Sequence, residues 1–186
     1  MKKIYIISTY TGTVLSSIIR TISKKPYSHI SLSLDDTLDT MYSFGRINPS
    51  NPFFAGFVEE GIDKGLYKIK KNTICRVYSL YISDDEYTAL KENIDIISAE
   101  RELYSYDIIS LITIPIGIPR NSNYRYVCSS FVAHMLSKSG IELIDKEHFM
   151  IQPNDFYNLS GLTLEYEGLL NDYNKNYQEL FITNII

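Results

Sequence analysis

From His29 to Leu34 apolar and polar residues alternate without a break, Ile30, Leu32 and Leu34 on one side and His29, Ser31 and Ser33 on the other. A side-chain period of two belongs to a strand with one face in a core and the other toward water. Asp35-Asp36-Thr37 supplies turn residues, and Asp39 to Phe44 can return as the second strand of a hairpin. Ile4 to Ser8, Phe57 to Ile62, Thr73 to Leu80 and Leu162 to Tyr166 also read as short strands. Helical spacing replaces the period of two in three places. Val14, Leu15, Ile18, Ile19 and Ile22 follow Gly12 and stop at Pro26. Ser83 can cap a helix running to about Glu102, with Glu86 three residues on. Cys128 to Ser139 places Phe131, Val132, Met135 and Leu136 on one face, with Gly140 as the stop. Hairpin strands interrupted by helices predict the α+β class, helices packed on a small antiparallel sheet.

At 186 residues, 45% of them hydrophobic and 22% charged, the chain suits one domain spanning 1–186 with a substantial core. A net charge of −4 gives no electrostatic reason to expect nucleic acid as a partner. Two cysteines, Cys75 and Cys128, are too few for a disulfide scaffold, and neither has zinc-site spacing, so no metal is expected. The apolar run after Lys2-Lys3 ends at Ser8-Thr9, short for an export signal, and nothing approaches the ~20 apolar residues that span a bilayer. The expectation is a cytoplasmic protein without stable membrane insertion.

Cys128 opens its helix, where unpaired N–H groups and the positive end of the helix dipole favour thiolate and can also hold an oxyanion. Against that stands the ordinary buried cysteine of a core, which is the reading for Cys75. His29, on the polar face of its strand, is a candidate base; a hydrogen-bonded structural histidine is the alternative. His134 lies six positions into the helix of Cys128 and off its face, whereas periodicity leaves His148 open.

Two segments resemble the motifs of a known superfamily. Tyr27-Ser28-His29-Ile30-Ser31-Leu32 resembles the histidine motif of the NlpC/P60 papain-like thiol enzymes, and Tyr126-Val127-Cys128-Ser129-Ser130-Phe131-Val132-Ala133 resembles its cysteine motif. Histidine before cysteine is the order of the circularly permuted, YiiX-like branch. Cys75-Arg76-Val77-Tyr78, Tyr104-Ser105-Tyr106-Asp107 and Gln152-Pro153-Asn154-Asp155-Phe156 resemble further segments of that branch, so the likeness runs over most of the chain. The resemblance implies a permuted papain-like fold and an amide or ester hydrolase or acyltransferase working through a thioester. Cys128 would be the nucleophile and His29 the base, and no cofactor is needed. The implied substrate is a small molecule, a peptide of peptidoglycan type or a lipid. The family's third residue, which orients the imidazole, falls near Ser43, with Tyr42, Glu59 and Glu60 as alternatives; Glu59 and Glu60 otherwise read as a solvated pair. Tyr126 and Ser129 are candidate substrate contacts, set against packing for the tyrosine and a first-turn role for the serine. A serine as orienter would also suit a catalytically degenerate ligand-binding module of the same fold.

Overall fold

The computed structural model describes residues 1–13, 16–17, 20–21, 24–48, 54–118, 120–157 and 159–173, with backbone alone for residues 112 and 115. The helix expected over Val14 to Ile22 rests on apolar positions outside the described residues.

Six strands form one antiparallel sheet. β1 (Lys2–Tyr10) lies at its centre, flanked by β2 (His29–Ser33), β3 (Met41–Arg46) and β4 (Ala55–Glu60) on one side, and by β5 (Ile74–Ile82) and β8 (Thr163–Leu169) on the other. The hairpin expected from the alternation is the β2–β3 pair, in which Leu32 faces Tyr42. β1 pairs with β2 from Tyr5–Ser33 to Thr9–His29, which fixes His29 at the sheet end where β1 finishes.

Both faces of the sheet are covered. Ile4, Ile6, Ile30, Leu32 and Phe44 pack under α2 (Asp84–Ala99) and α4 (Cys128–Lys138). Tyr5, Ile7, Met41 and Val77 form a second core on the opposite face with Tyr67 of α1 (Gly65–Ile69), Leu170 and Tyr173. Coverage on both faces explains why Ile4 to Ile7 is a continuous apolar run rather than an alternating one. It also corrects the expectation for β2. Ser31 and Ser33, read as a solvent face, are fully buried. Their hydroxyls donate to the Glu60 carboxylate at 2.6 Å and to the carbonyls of Asp35 and Thr40, which removes the cost of burying them.

α2 has the expected start: Ser83 Oγ accepts from the Glu86 N–H, and the Glu86 carboxylate accepts from the Ser83 N–H at 2.7 Å. It ends at Ala99 rather than near Glu102, because Arg101–Leu103 tightens into a 3-10 turn. α4 ends at Lys138, two residues before Gly140, whose φ of +84° is a left-handed stop that a side chain would strain. Between α2 and α4, the two residues of β6 (Ser105–Tyr106) pair in parallel with β7 (Arg125–Tyr126). α3 (Ser110–Thr113) follows β6, with the buried Asp107 carboxylate accepting from the N–H and hydroxyl of Ser110 and pairing with Arg120. Among the described residues no helix is long and apolar enough to cross a membrane.

Candidate active site

His29 opens β2 and is anchored there by the Ser28 N–H, which donates to the Thr9 carbonyl at 3.0 Å. Its Nε2 lies 3.0 Å and 3.1 Å from the two carboxylate oxygens of Glu60, the last residue of β4. A carboxylate only accepts, so Nε2 carries the proton, and Nδ1 is the nitrogen left for another partner. Glu60 is held in turn by the Ser31 hydroxyl at 2.6 Å and the Tyr67 hydroxyl at 3.5 Å, and the Tyr67 oxygen is 3.0 Å from Thr9 Oγ1.

β3 lies between Glu60 and His29, so the carboxylate must cross it. By strand alternation Met41, Ser43 and Gly45 share the face of Glu60, and the two small residues clear the path. A Cβ on Gly45 would sit 3.5 Å from His29 Cε1 and 3.6 Å from Glu60 Oε1, already at van der Waals contact. Ser43 is therefore not the orienting residue. It is fully buried and its hydroxyl donates to the Ile30 carbonyl at 2.6 Å. Tyr42 faces Glu59 on the other side of the sheet. Glu59 is exposed and accepts from Ser98, so the two glutamates are not a solvated pair.

Cys128 is the first residue of α4, which packs on β2 and β3. The Val127 N–H is taken by Ser130 Oγ at 3.0 Å, whereas the Cys128 and Ser129 N–H groups belong to the first turn, which has no intrahelical acceptors. Cys128 lies near enough to the His29 ring to act on its charge. Burial disfavours the imidazolium, but the Glu60 carboxylate and the Cys128 sulfur together outweigh it and hold the His29 pKa well above the ordinary histidine value. Burial likewise opposes ionisation of Glu60; the imidazolium and the hydrogen bonds of Ser31 and Tyr67 prevail and hold its pKa below the usual carboxylate range. The Cys128 residue is 3% exposed, and the side chains of His29 and Glu60 are 17% exposed, so the site meets solvent mainly on the histidine side.

Tyr106, at the end of β6, also belongs here. Its phenol is raised well above its ordinary pKa, first by burial and then by the charge at Cys128, so it stays protonated. In the sequence Tyr106 carried only the family likeness; the parallel pairing of β6 with β7, two residues short of Cys128, is what brings it in.

The two residues expected to contact substrate are buried and hydrogen-bonded within the fold. Tyr126 is 4% exposed, packs its ring against Phe44 and His134, and donates its hydroxyl to the Asn123 carbonyl. Ser129 is buried and ties α4 to the Ile151 carbonyl at 2.6 Å. His134 and His148 form a ring pair of their own, 4.7 Å between centroids. A cavity of about 470 Å³ lies on that side of α4, lined by Leu136, Ile141, Ile144 and His148 rather than by Cys128 or His29. Cys75 is fully buried in β5, its thiol pushed up to about 12 chiefly by burial. Among the described residues no group of three or more His, Cys, Asp or Glu side chains could hold a metal ion.

No protein-family model and no curated protein sequence matches the chain.

Proposed function

We propose that this chain is a cysteine-dependent hydrolase or acyltransferase of the permuted papain-like class, acting on an amide or ester through a thioester at Cys128. The observation that carries the reading is the His29–Glu60 pair. A carboxylate holds Nε2 with both oxygens, and the ring's other nitrogen is left to a cysteine at a helix N-terminus.

With its pKa held up by Glu60, His29 is imidazolium near neutrality, and the thiolate of Cys128 beside it is the form that attacks. Cys128 Sγ attacks the carbonyl carbon, the carbonyl π electrons move to oxygen, and the oxyanion accepts from the Cys128 N–H and the Tyr106 hydroxyl. Nδ1–H of His29 protonates the leaving amine or alkoxide as its bond to carbon breaks, giving the thioester and neutral His29. Water or another nucleophile then attacks the thioester, delivers its proton to Nδ1 and releases Cys128 as thiolate. Throughout, Nε2–H stays on Glu60, which orients the ring and stabilises its charged form. The degenerate binding-module reading rested on a serine in the orienting position, and the arrangement around Glu60 removes that support.

The test is alkylation of the two cysteines by iodoacetamide as a function of pH. Cys128 is expected to react faster in the folded protein than a free cysteine does at the same near-neutral pH, and Cys75 to stay unlabelled until the protein unfolds. Equal, slow labelling of both would sink the proposal.

A further inference from the structure

Arg46 ends β3, one residue after the glycine that backs onto His29. Alternation puts its side chain on the opposite face from Gly45, the face of Phe44. Phe44 packs at 5.3 Å on Tyr126 and 5.1 Å on Phe131, which flank Cys128 in sequence, so Arg46 stands on the cysteine side of the sheet. Its charge and the Cys128 sulfur act in opposite senses on one group, the Tyr106 phenol.

Three arginines among the described residues are half-buried. Arg76 is paired with Glu167 and Arg120 with Asp107. Arg46 has no carboxylate among the described residues within ion-pairing distance; Nη2 donates instead to Thr13 Oγ1 at 3.0 Å. Thr13 shares that oxygen with the hydroxyls of Thr11 and Ser16, so the bed under the guanidinium is polar and uncharged. The stretch from Ile47 to Val58 contains no acidic residue that could neutralise it. A guanidinium carries five donors in a planar fork matched to a carboxylate, and removing it from water without a counter-charge costs free energy that a bound anion would recover.

We infer that Arg46 is the specificity residue of the site, and that the substrate carries a carboxylate close to its scissile acyl group which the Arg46 fork binds. This rests on the reading of Cys128 and His29 as the reacting pair. Iodoacetate and iodoacetamide test it on the intact chain without a known substrate, because they deliver the same carbon to Cys128 with a carboxylate or a carboxamide attached. Arg46→Gln is expected to slow iodoacetate at Cys128 by about tenfold, the effect of one charge several ångströms away in a partly hydrated site, and iodoacetamide by less than about twofold. Arg46→Met keeps the apolar stem, carries the same expectation, and serves if the glutamine variant exposes Cys75 to reagent. An iodoacetate-to-iodoacetamide ratio unchanged by the substitution overturns the inference and leaves the thiol reading standing. A Cys128 that reacts no faster than an ordinary thiol with either reagent overturns both.

Discussion

Glu60→Gln separates charge from shape at the residue that orients His29. The carboxamide has nearly the same volume and keeps one oxygen to accept from Nε2–H, so the ring stays in place while the negative charge beside it disappears. The two contacts of 3.0 Å and 3.1 Å put the charge centres at about 4 Å, where a unit pair is worth about 4 kcal/mol at an effective dielectric near 20. One retained neutral hydrogen bond restores about 1 kcal/mol. Water reaching a site that is 17% exposed restores a comparable amount. The net loss of about 2 kcal/mol falls on the imidazolium, and through it on the thiolate, which is a fall of about thirtyfold in thiolate population where the pair controls it.

Iodoacetamide alkylation of Cys128 at pH 6 reads that population, with the buried Cys75 as an internal control for folding. Wild type should react fast at pH 6 and the variant about thirtyfold more slowly, the two converging as pH rises past the titration of a free thiol. Convergence is the diagnostic part, since a loss of access to the sulfur, unlike a loss of thiolate, would slow the reaction at every pH. Rates at pH 6 that agree within twofold, with Cys75 still protected, would refute the claim that Glu60 acts through His29.

Two further outcomes concern stability. Ser31→Ala removes a 2.6 Å hydrogen bond to the Glu60 carboxylate and should cost about 2 kcal/mol in urea unfolding, as for other bonds to a charged acceptor. His134 is held down to about 4, first by burial and then by His148 and Lys138. Its folded pKa is depressed, so between pH 6.5 and about 4 the unfolded chain binds a proton that the native chain refuses, and stability falls as the medium is acidified. At pH 5 this amounts to about 1 kcal/mol once water screening of the part-exposed ring is allowed for. His134→Phe, which preserves the ring stacked on Tyr126, should flatten that part of the difference between urea curves at pH 7.5 and pH 5. His148, lowered by burial and opposed by Glu147, accounts for acid sensitivity that persists.

The periodic elements were legible because their periods are local. Alternation placed β2, and the capping pattern at Ser83 and Glu86 placed the start of α2. What alternation could not tell is which face meets water. Ser31 and Ser33 look solvated in sequence, and only the later segments that bring Tyr67, Leu170 and Tyr173 onto that side bury them. Glu60 was hidden for the same reason. Beside Glu59 it reads as half of an exposed acidic pair, and 31 residues separate it from His29. Its place comes from the register of β4 on β3, Glu60 opposite Met41, followed by a diagonal reach across a strand. A carboxylate can make that reach only if the intervening strand presents nothing larger than Ser43 and Gly45 on that face. The sequence signal for the third residue therefore lay in what the middle strand leaves out. In sequence a hydroxyl at Ser43 looks like a ligand to the ring; in the fold its small size and its bond to the Ile30 carbonyl let a charged residue one strand further away hold the ring instead.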